Sequence, residues 1–214
     1  MADSRLGRLQ TEVLHAFFRR EKRFFLTGGA ALAGFYLGHR ETEDLDFFAT
    51  MNILDDADLV LRDVATELHA TIEEVKTFGT FRRRVVRRGD EGVVVDLVFD
   101  QAPQVFVDKP TIEGIRMDPP EEILANKLCA VLARSEARDL IDVLCLERSG
   151  LKIEDALPRA AQKDGGVTPG QLAWVLSQIH IGDDARLPAG VSPVELRRFL
   201  TDLQVRLGRI SFPK

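Results

Sequence analysis

No stretch of the 214-residue chain is apolar for long enough to span a bilayer as a helix. The opening residues, MADSRLGRLQTE, are too polar for a secretory leader. Cysteine is scarce, and Cys129 and Cys145 both fall in helical patterns, where a thiol behaves as a small apolar side chain. These absences predict a cytoplasmic protein with no membrane partner. The four histidines, His15, His39, His69 and His180, are too scattered for zinc-ligand spacing. A Gly-Lys-Ser/Thr phosphate loop and a Gly-x-Ser-x-Gly nucleophile turn are both missing. A formal net charge of −5 argues against bulk attraction to nucleic acid, while leaving room for a local basic surface. Internal repeats and low-complexity tracts are absent.

What is present is ordinary for a folded protein: 45% hydrophobic and 29% charged residues, enough apolar content for one large domain or two small ones. The chain is organised around Phe25–Phe48, FLTGGAALAGFYLGHRETEDLDFF. A short strand over Phe24–Leu26 breaks at Thr27-Gly28-Gly29, a helical segment follows over Ala30–Leu37, and a polar loop over Gly38–Glu43 leads into a strand carrying Asp44 and Asp46. Alternate strand residues share a face, so the two carboxylates point the same way, about 7 Å apart, with Leu45 and Phe47 facing the opposite layer. Paired acids repel unless a cation sits between them, and a hard divalent ion suits oxygen ligands. The diglycine upstream lets a phosphate approach the backbone, next to a helix N-terminus. A phosphate seat beside a metal seat points to phosphoryl chemistry.

Around this stretch, Leu6, Leu9, Val13, Leu14, Phe17 and Phe18 predict an amphipathic helix over residues 4–20. The basic run Arg19–Arg23 reads as its solvated C-terminal end. A second helix is expected over Asp55–Ala70 with Leu59, Val60, Val64 and Leu68 inward, then strands over Thr71–Lys76, Phe81–Arg88 and Gly92–Phe99. Val93–Phe99 is a continuous apolar run suited to a strand buried on both faces, interrupted by Asp96. A buried carboxylate needs a cation or a hydrogen-bonded partner: an ion pair with a neighbouring arginine, or membership of the metal site with Asp44 and Asp46. The run FRRRVVRRG, with arginine on both parities, reads as an edge strand blunted by charge, or as a basic ledge for phosphates. Pro103–Thr111 reads as a connecting loop. Beyond it the pattern is helical, with start signals at Asp118-Pro119-Pro120-Glu121, Thr168-Pro169-Gly170-Gln171 and Ser192-Pro193-Val194-Glu195. Ser135 is placed as the cap of the helix carrying Arg138 and Asp139, and Trp174 as a packing residue. The Lys127 side chain, beside the apolar stripe of its helix, has an ordinary reading as a snorkelling lysine, and Arg138-Asp139 as a structural ion pair.

The ordered set of diglycine, Gly-His-Arg and Asp-Leu-Asp-Phe-Phe resembles the nucleotidyltransferase superfamily and, more narrowly, the AbiEii/AbiGii toxins of abortive-infection and toxin–antitoxin systems. The stretch KLCAVLARSEARDLID, Lys127–Asp142, resembles that family's second block, a helix lysine followed by Arg-Asp-x-x-Asp. The likeness covers about Phe24–Ser149 by motif. It implies an α+β fold: a small mixed sheet with helices over residues 1–110, and a helical C-terminal region over 111–214 that completes the active site. It implies Mg²⁺, two ions, held by Asp44, Asp46 and Asp96. It also implies Lys127 and Asp139 among the catalytic groups, with Gly28, Gly29, Arg40, Lys127, Arg138 and Asp142 around the nucleotide phosphates. Its further implications are an NTP donor, a tRNA 3′ end as acceptor in some members, and a separately encoded antitoxin. The alternatives are transfer to a small molecule such as an aminoglycoside, transfer to a protein hydroxyl, and an inactive nucleotide- or partner-binding module.

Overall fold

The computed structural model describes residues 5–211; Ser4, where the sequence-based first helix begins, lies outside them. The described chain divides into two compact units, residues 5–101 with 106–119, and residues 102–105 with 120–211. The short hairpin of β6 (Thr111–Ile112) and β7 (Ile115–Arg116) thus belongs with the sheet, not with the helical region.

In the first unit the strands are β1 (Phe25–Thr27), β2 (Asp44–Ala49), β3 (Thr71–Phe78), β4 (Phe81–Arg88) and β5 (Glu91–Phe99). They form a mixed sheet in the order β1-β2-β5-β4-β3, in which β2 and β5 run parallel and the other neighbours antiparallel. The helices α1 (Arg8–Arg20) and α3 (Leu54–Glu67) cover one face. Alternation in β2 sends Leu45, Phe47 and Ala49 to that face, all fully buried, and leaves Asp44, Asp46 and Phe48 on the other. Phe47 stacks with Phe17 at 4.6 Å and meets Phe18 edge-on at 5.2 Å, while Phe17 also meets Phe24 at 5.7 Å. Each such ring buried contributes about 1.5–3 kcal/mol and fixes which face of β2 turns outward.

Two expectations for this unit are corrected. The inward stripe of α3 is Leu54, Ala57, Leu61, Val64 and Ala65, so Val64 is inward as expected, whereas Leu59 is 64% exposed because the 3.6-residue period running through Leu54, Ala57, Leu61 and Val64 places it on the solvent side. The arginine-rich strand β4 is interior, between β5 and the edge strand β3. Its charges are accommodated by acids on neighbouring elements: Arg82 and Arg84 by Asp58, Arg87 by Glu73, and Arg88 by Glu12 and Glu91. Arg84 is 1% exposed, held by both oxygens of Asp58 at 2.8 and 2.6 Å. β5 is buried along Val93, Val95 and Leu97, whereas Val94 and Val98 on its other face are only half-buried.

The second unit is helical, with α4 (Pro120–Ala133), α5 (Ala137–Arg148), α6 (Ile153–Lys163), α7 (Pro169–Ser177) and α8 (Pro193–Ser211). Thr168 caps α7 by accepting from the Gln171 amide, and Ser192 accepts from the Glu195 amide at the start of α8. The stripe Leu196, Phe199, Leu200, Leu203 and Leu207 is buried as its period requires. Trp174, expected to pack, is 61% exposed. Ser135 does not cap α5; the cap position is Glu136, and the Ser135 hydroxyl donates to the Val131 carbonyl instead.

Candidate active site

The site is built on the open face of the sheet by register. Thr27 on β1 is the partner of Asp46 on β2, Asp46 of Asp96 on β5, and Asp96 of Arg83 on β4. Directly paired residues share a face, so Thr27, Asp46, Asp96 and Arg83 make one row across the sheet, with Asp44 one pleat away on the same face. Among the described residues, Asp44 and Asp46 are half-buried and Asp96 is buried. Cross-strand register sets Asp96 directly beside Asp46, which lies 50 residues earlier in the chain.

Asp96 makes the arginine ion pair that the sequence allowed. Arg83 Nε donates to its Oδ1 at 2.8 Å and Nη2 to its Oδ2 at 2.6 Å, and Nη2 also lies 3.9 Å from Asp44 Oδ2. The Asp96 hydrogen bonds, with the nearby charges of Asp44 and Asp46 adding to them, hold the Arg83 guanidinium even more firmly protonated than usual.

β1 ends where α2 (Gly28–Ala31) begins, and α2 runs on into a π-helical turn, Leu32–Tyr36. Gly28 has φ +65°, and a Cβ placed there would sit 2.4 Å from Asp46 Oδ2. A Cβ on Gly29 would come within 2.8 Å of Arg40 Nη2 and 3.2 Å of Thr42 Oγ1. The diglycine is therefore required by the close approach of the Asp46 carboxylate and the buried Arg40 guanidinium, which also donates to the Glu41 carbonyl. Gly28→Ala should cost roughly 1–2 kcal/mol from its left-handed backbone alone and displace Asp46. A thermal melt together with an assay of Asp46-dependent activity would check both effects.

Alongside β1, where Met117 bridges to Leu26, the Thr27 hydroxyl donates to Asp118 Oδ2 at 2.6 Å, and Lys109 Nζ lies 2.6 Å from Asp118 Oδ1 and 4.5 Å from the Phe25 ring centroid. Asp118, expected as a helix cap, thus ties the β6–β7 hairpin segment to the strand that carries Thr27.

In the second unit, Lys127 on α4 places its ammonium 2.8 Å from Asp139 Oδ1 and 2.7 Å from Asp142 Oδ2, both on α5 and both fully buried. Arg134 adds two hydrogen bonds to Asp139, at 2.8 and 3.1 Å. Burial opposes ionisation of Asp139, but the Arg134 hydrogen bonds and the Lys127 charge override it and hold the carboxyl below its ordinary range. Arg138 turns to Glu136, at 2.7 Å. Sequence reasoning missed Arg83 and Arg134. Arg83 is recognisable only once strand register is known, whereas Arg134, five residues before Asp139, was within reach of local pattern.

As a test of metal fit, Asp44, Asp46 and Asp96 offer hard carboxylate oxygens on one face, beside a glycine whose missing side chain leaves Asp46 room. Among the described residues no three His, Cys, Asp or Glu side chains are drawn together as a ready ligand set, and Arg83 holds Asp96. The donor chemistry fits a divalent ion, with Arg83 occupying part of its charge-neutralising role.

The fold is of α+β class, with paired acids on one sheet face next to a diglycine turn. The model of the family described as nucleotidyl transferase AbiEii toxin, type IV toxin–antitoxin system, matches residues 14–207, and the chain belongs to that family. Its fold is similar to the crystal structure of an H. pylori protein described as a candidate nucleotidyltransferase, with 21% identity, a TM-score of 0.59 and 95% of each chain covered. It is also similar to JHP933 from Helicobacter pylori, at 22% identity and TM-score 0.60, over 95% of this chain and 92% of that one. At such identities these likenesses show the fold alone. No functionally curated protein matches the chain. No helix among the described residues is long and apolar enough to cross a membrane.

Proposed function

We propose that the chain is a Mg²⁺-dependent toxin that moves a nucleoside monophosphate from an NTP to the 3′-terminal hydroxyl of tRNA, and that an antitoxin encoded separately restrains it. The single observation that carries the reading is the row on the open sheet face, Asp46 and Asp96 in register with Asp44 one pleat away, against Gly28. Asp44 and Asp46 would hold the metal, joined by Asp96 when Arg83 releases it. Bound there, divalent ions would acidify the attacking hydroxyl and neutralise charge on the triphosphate.

This chain's own residues account for the remainder. Gly28 and Gly29 present backbone without side chains, so a phosphate can approach the strand end. Arg40, packed against Gly29, carries a fixed positive charge beside it. The transferred phosphoryl group passes between two oxygens with little covalent help from protein, so positioning and charge carry the rate. The acceptor oxygen forms a bond to the α-phosphorus as the bond to the β-phosphate oxygen breaks, and pyrophosphate leaves.

The tRNA acceptor rests on the family rather than on a basic surface, since the arginines of β4 are matched by acids. The test is to incubate the protein with Mg²⁺, each of the four α-labelled NTPs and total tRNA. Label on tRNA is the expected result and names the base. Label on an aminoglycoside or a protein, with tRNA unlabelled, would replace the acceptor. Absence of turnover with any acceptor, together with absence of metal-dependent NTP binding, would leave only a binding module.

A further inference from the structure

Resting on the metal-binding reading just given, we propose that Arg83 is a built-in competitor of the divalent ion: it neutralises Asp96 in the metal-free protein and must let go before Asp96 can ligate metal. β4 carries arginines on both faces, and those considered above differ in their partners. Arg82 and Arg84 turn to Asp58 on α3, and Arg87 pairs with Glu73 on β3. Arg83 instead turns onto the acids proposed to hold the ion. Its fork engages both oxygens of Asp96 and reaches toward Asp44 Oδ2 at 3.9 Å.

Two cations against one buried carboxylate repel each other, so metal and guanidinium cannot both keep full contact with Asp96. The Asp96 side chain is 7% exposed and needs one of them at all times. Arg83 is the mobile partner, since its side chain is 34% exposed. The Phe81 ring, two residues back on the same face, already lies 5.9 Å from its guanidinium carbon and offers a surface on which the released charge can rest. Triphosphate oxygens arriving at the site offer it a stronger partner. Metal and nucleotide binding are thereby coupled: the ion binds weakly alone, and more tightly once the nucleotide draws Arg83 away.

The test measures Mn²⁺ binding to the nucleotide-free protein by loss of the free-ion electron paramagnetic resonance signal. It compares wild type, Arg83→Gln, Arg83→Lys and the pair Arg83→Gln with Asp96→Asn, each checked for folding by circular dichroism. Removing a charge-assisted fork should tighten Mn²⁺ binding roughly tenfold or more in Arg83→Gln. Arg83→Lys should fall between, since lysine keeps the charge without the fork. The added Asp96→Asn should cancel the gain. If wild type binds Mn²⁺ and Arg83→Gln binds it equally or more weakly, the competition is refuted while the metal reading stands. Should the glutamine variant not fold, equal affinity in Arg83→Lys refutes it in the same way. If neither the wild type nor any of the variants binds the ion, the metal reading falls and the competition with it.

Discussion

Asp46→Asn should reduce nucleotidyl transfer by roughly a thousandfold or more while leaving the thermal melt close to wild type. The magnitude follows from the place of Asp46 in the row. It is in register with both Thr27 and Asp96, and its Oδ2 fills the space that a Gly28 side chain would occupy. Asparagine preserves shape and most hydrogen bonding but removes the charge on which a dication depends, and losing one preorganised electrostatic contact at a reacting phosphate costs about a hundredfold to a thousandfold. Losing a ligand that positions the ion as well takes the effect to the upper end. Because Asp46 is half-buried and lies on the face away from the Phe17–Phe47 cluster, the substitution leaves the core untouched. The measurement is single-turnover transfer of α-labelled nucleotide beside a calorimetric scan. Transfer within tenfold of wild type would remove Asp46 from the metal site. A collapse of the melt would make its role structural.

How far the sequence could lead is clearest at three residues. The alternation of β2 was legible because its period is local: Leu45 and Phe47 are fully buried and Asp44 and Asp46 are not. Asp96 was legible as a charge that needed a partner, because a carboxylate in an apolar run is costly wherever the run folds. Arg83 as that partner was not, because pairing β4 against β5 in the register Arg83↔Asp96 is a cross-strand fact that a single strand does not encode. The same limit explains why the arginine run was read as a charged edge. Burying Arg84 at 1% exposure is feasible only because α3 delivers Asp58 to it, 26 residues earlier in the chain. Local signals succeeded at the helix starts, where Thr168 and Ser192 accept from the amides three residues on. They failed at Ser135, whose positive φ of 52° takes it out of the cap and turns its hydroxyl back to α4.

Lys127→Met should destabilise the helical unit by about 3–5 kcal/mol, the cost of breaking a buried ion pair from one side. The ammonium is shared between Asp139 and Asp142, neither exposed to solvent, and without it Arg134 faces Asp139 while Asp142 loses the cation 2.7 Å away. Calorimetry should show the loss directly, as a lower transition temperature than wild type. The pH dependence gives an independent reading. Folding holds the Asp139 carboxyl below its ordinary range, so its contribution is fully present above the unfolded value of about 4 and is lost as pH falls through the lower, folded value. Asp139→Asn should therefore be less stable than wild type at neutral pH, with the gap closing in acid below about pH 4. Opposed to this is the role that the resemblance assigns to Lys127, a point charge on the nucleotide phosphates. On that role alone, Lys127→Met would melt like wild type, lose transfer activity and show no change in its acid response. A large stability loss that closes on acidification for Asp139→Asn would instead mean that the Lys-Asp-Asp cluster chiefly clamps α4 to α5, and that the motif is retained by this chain as architecture.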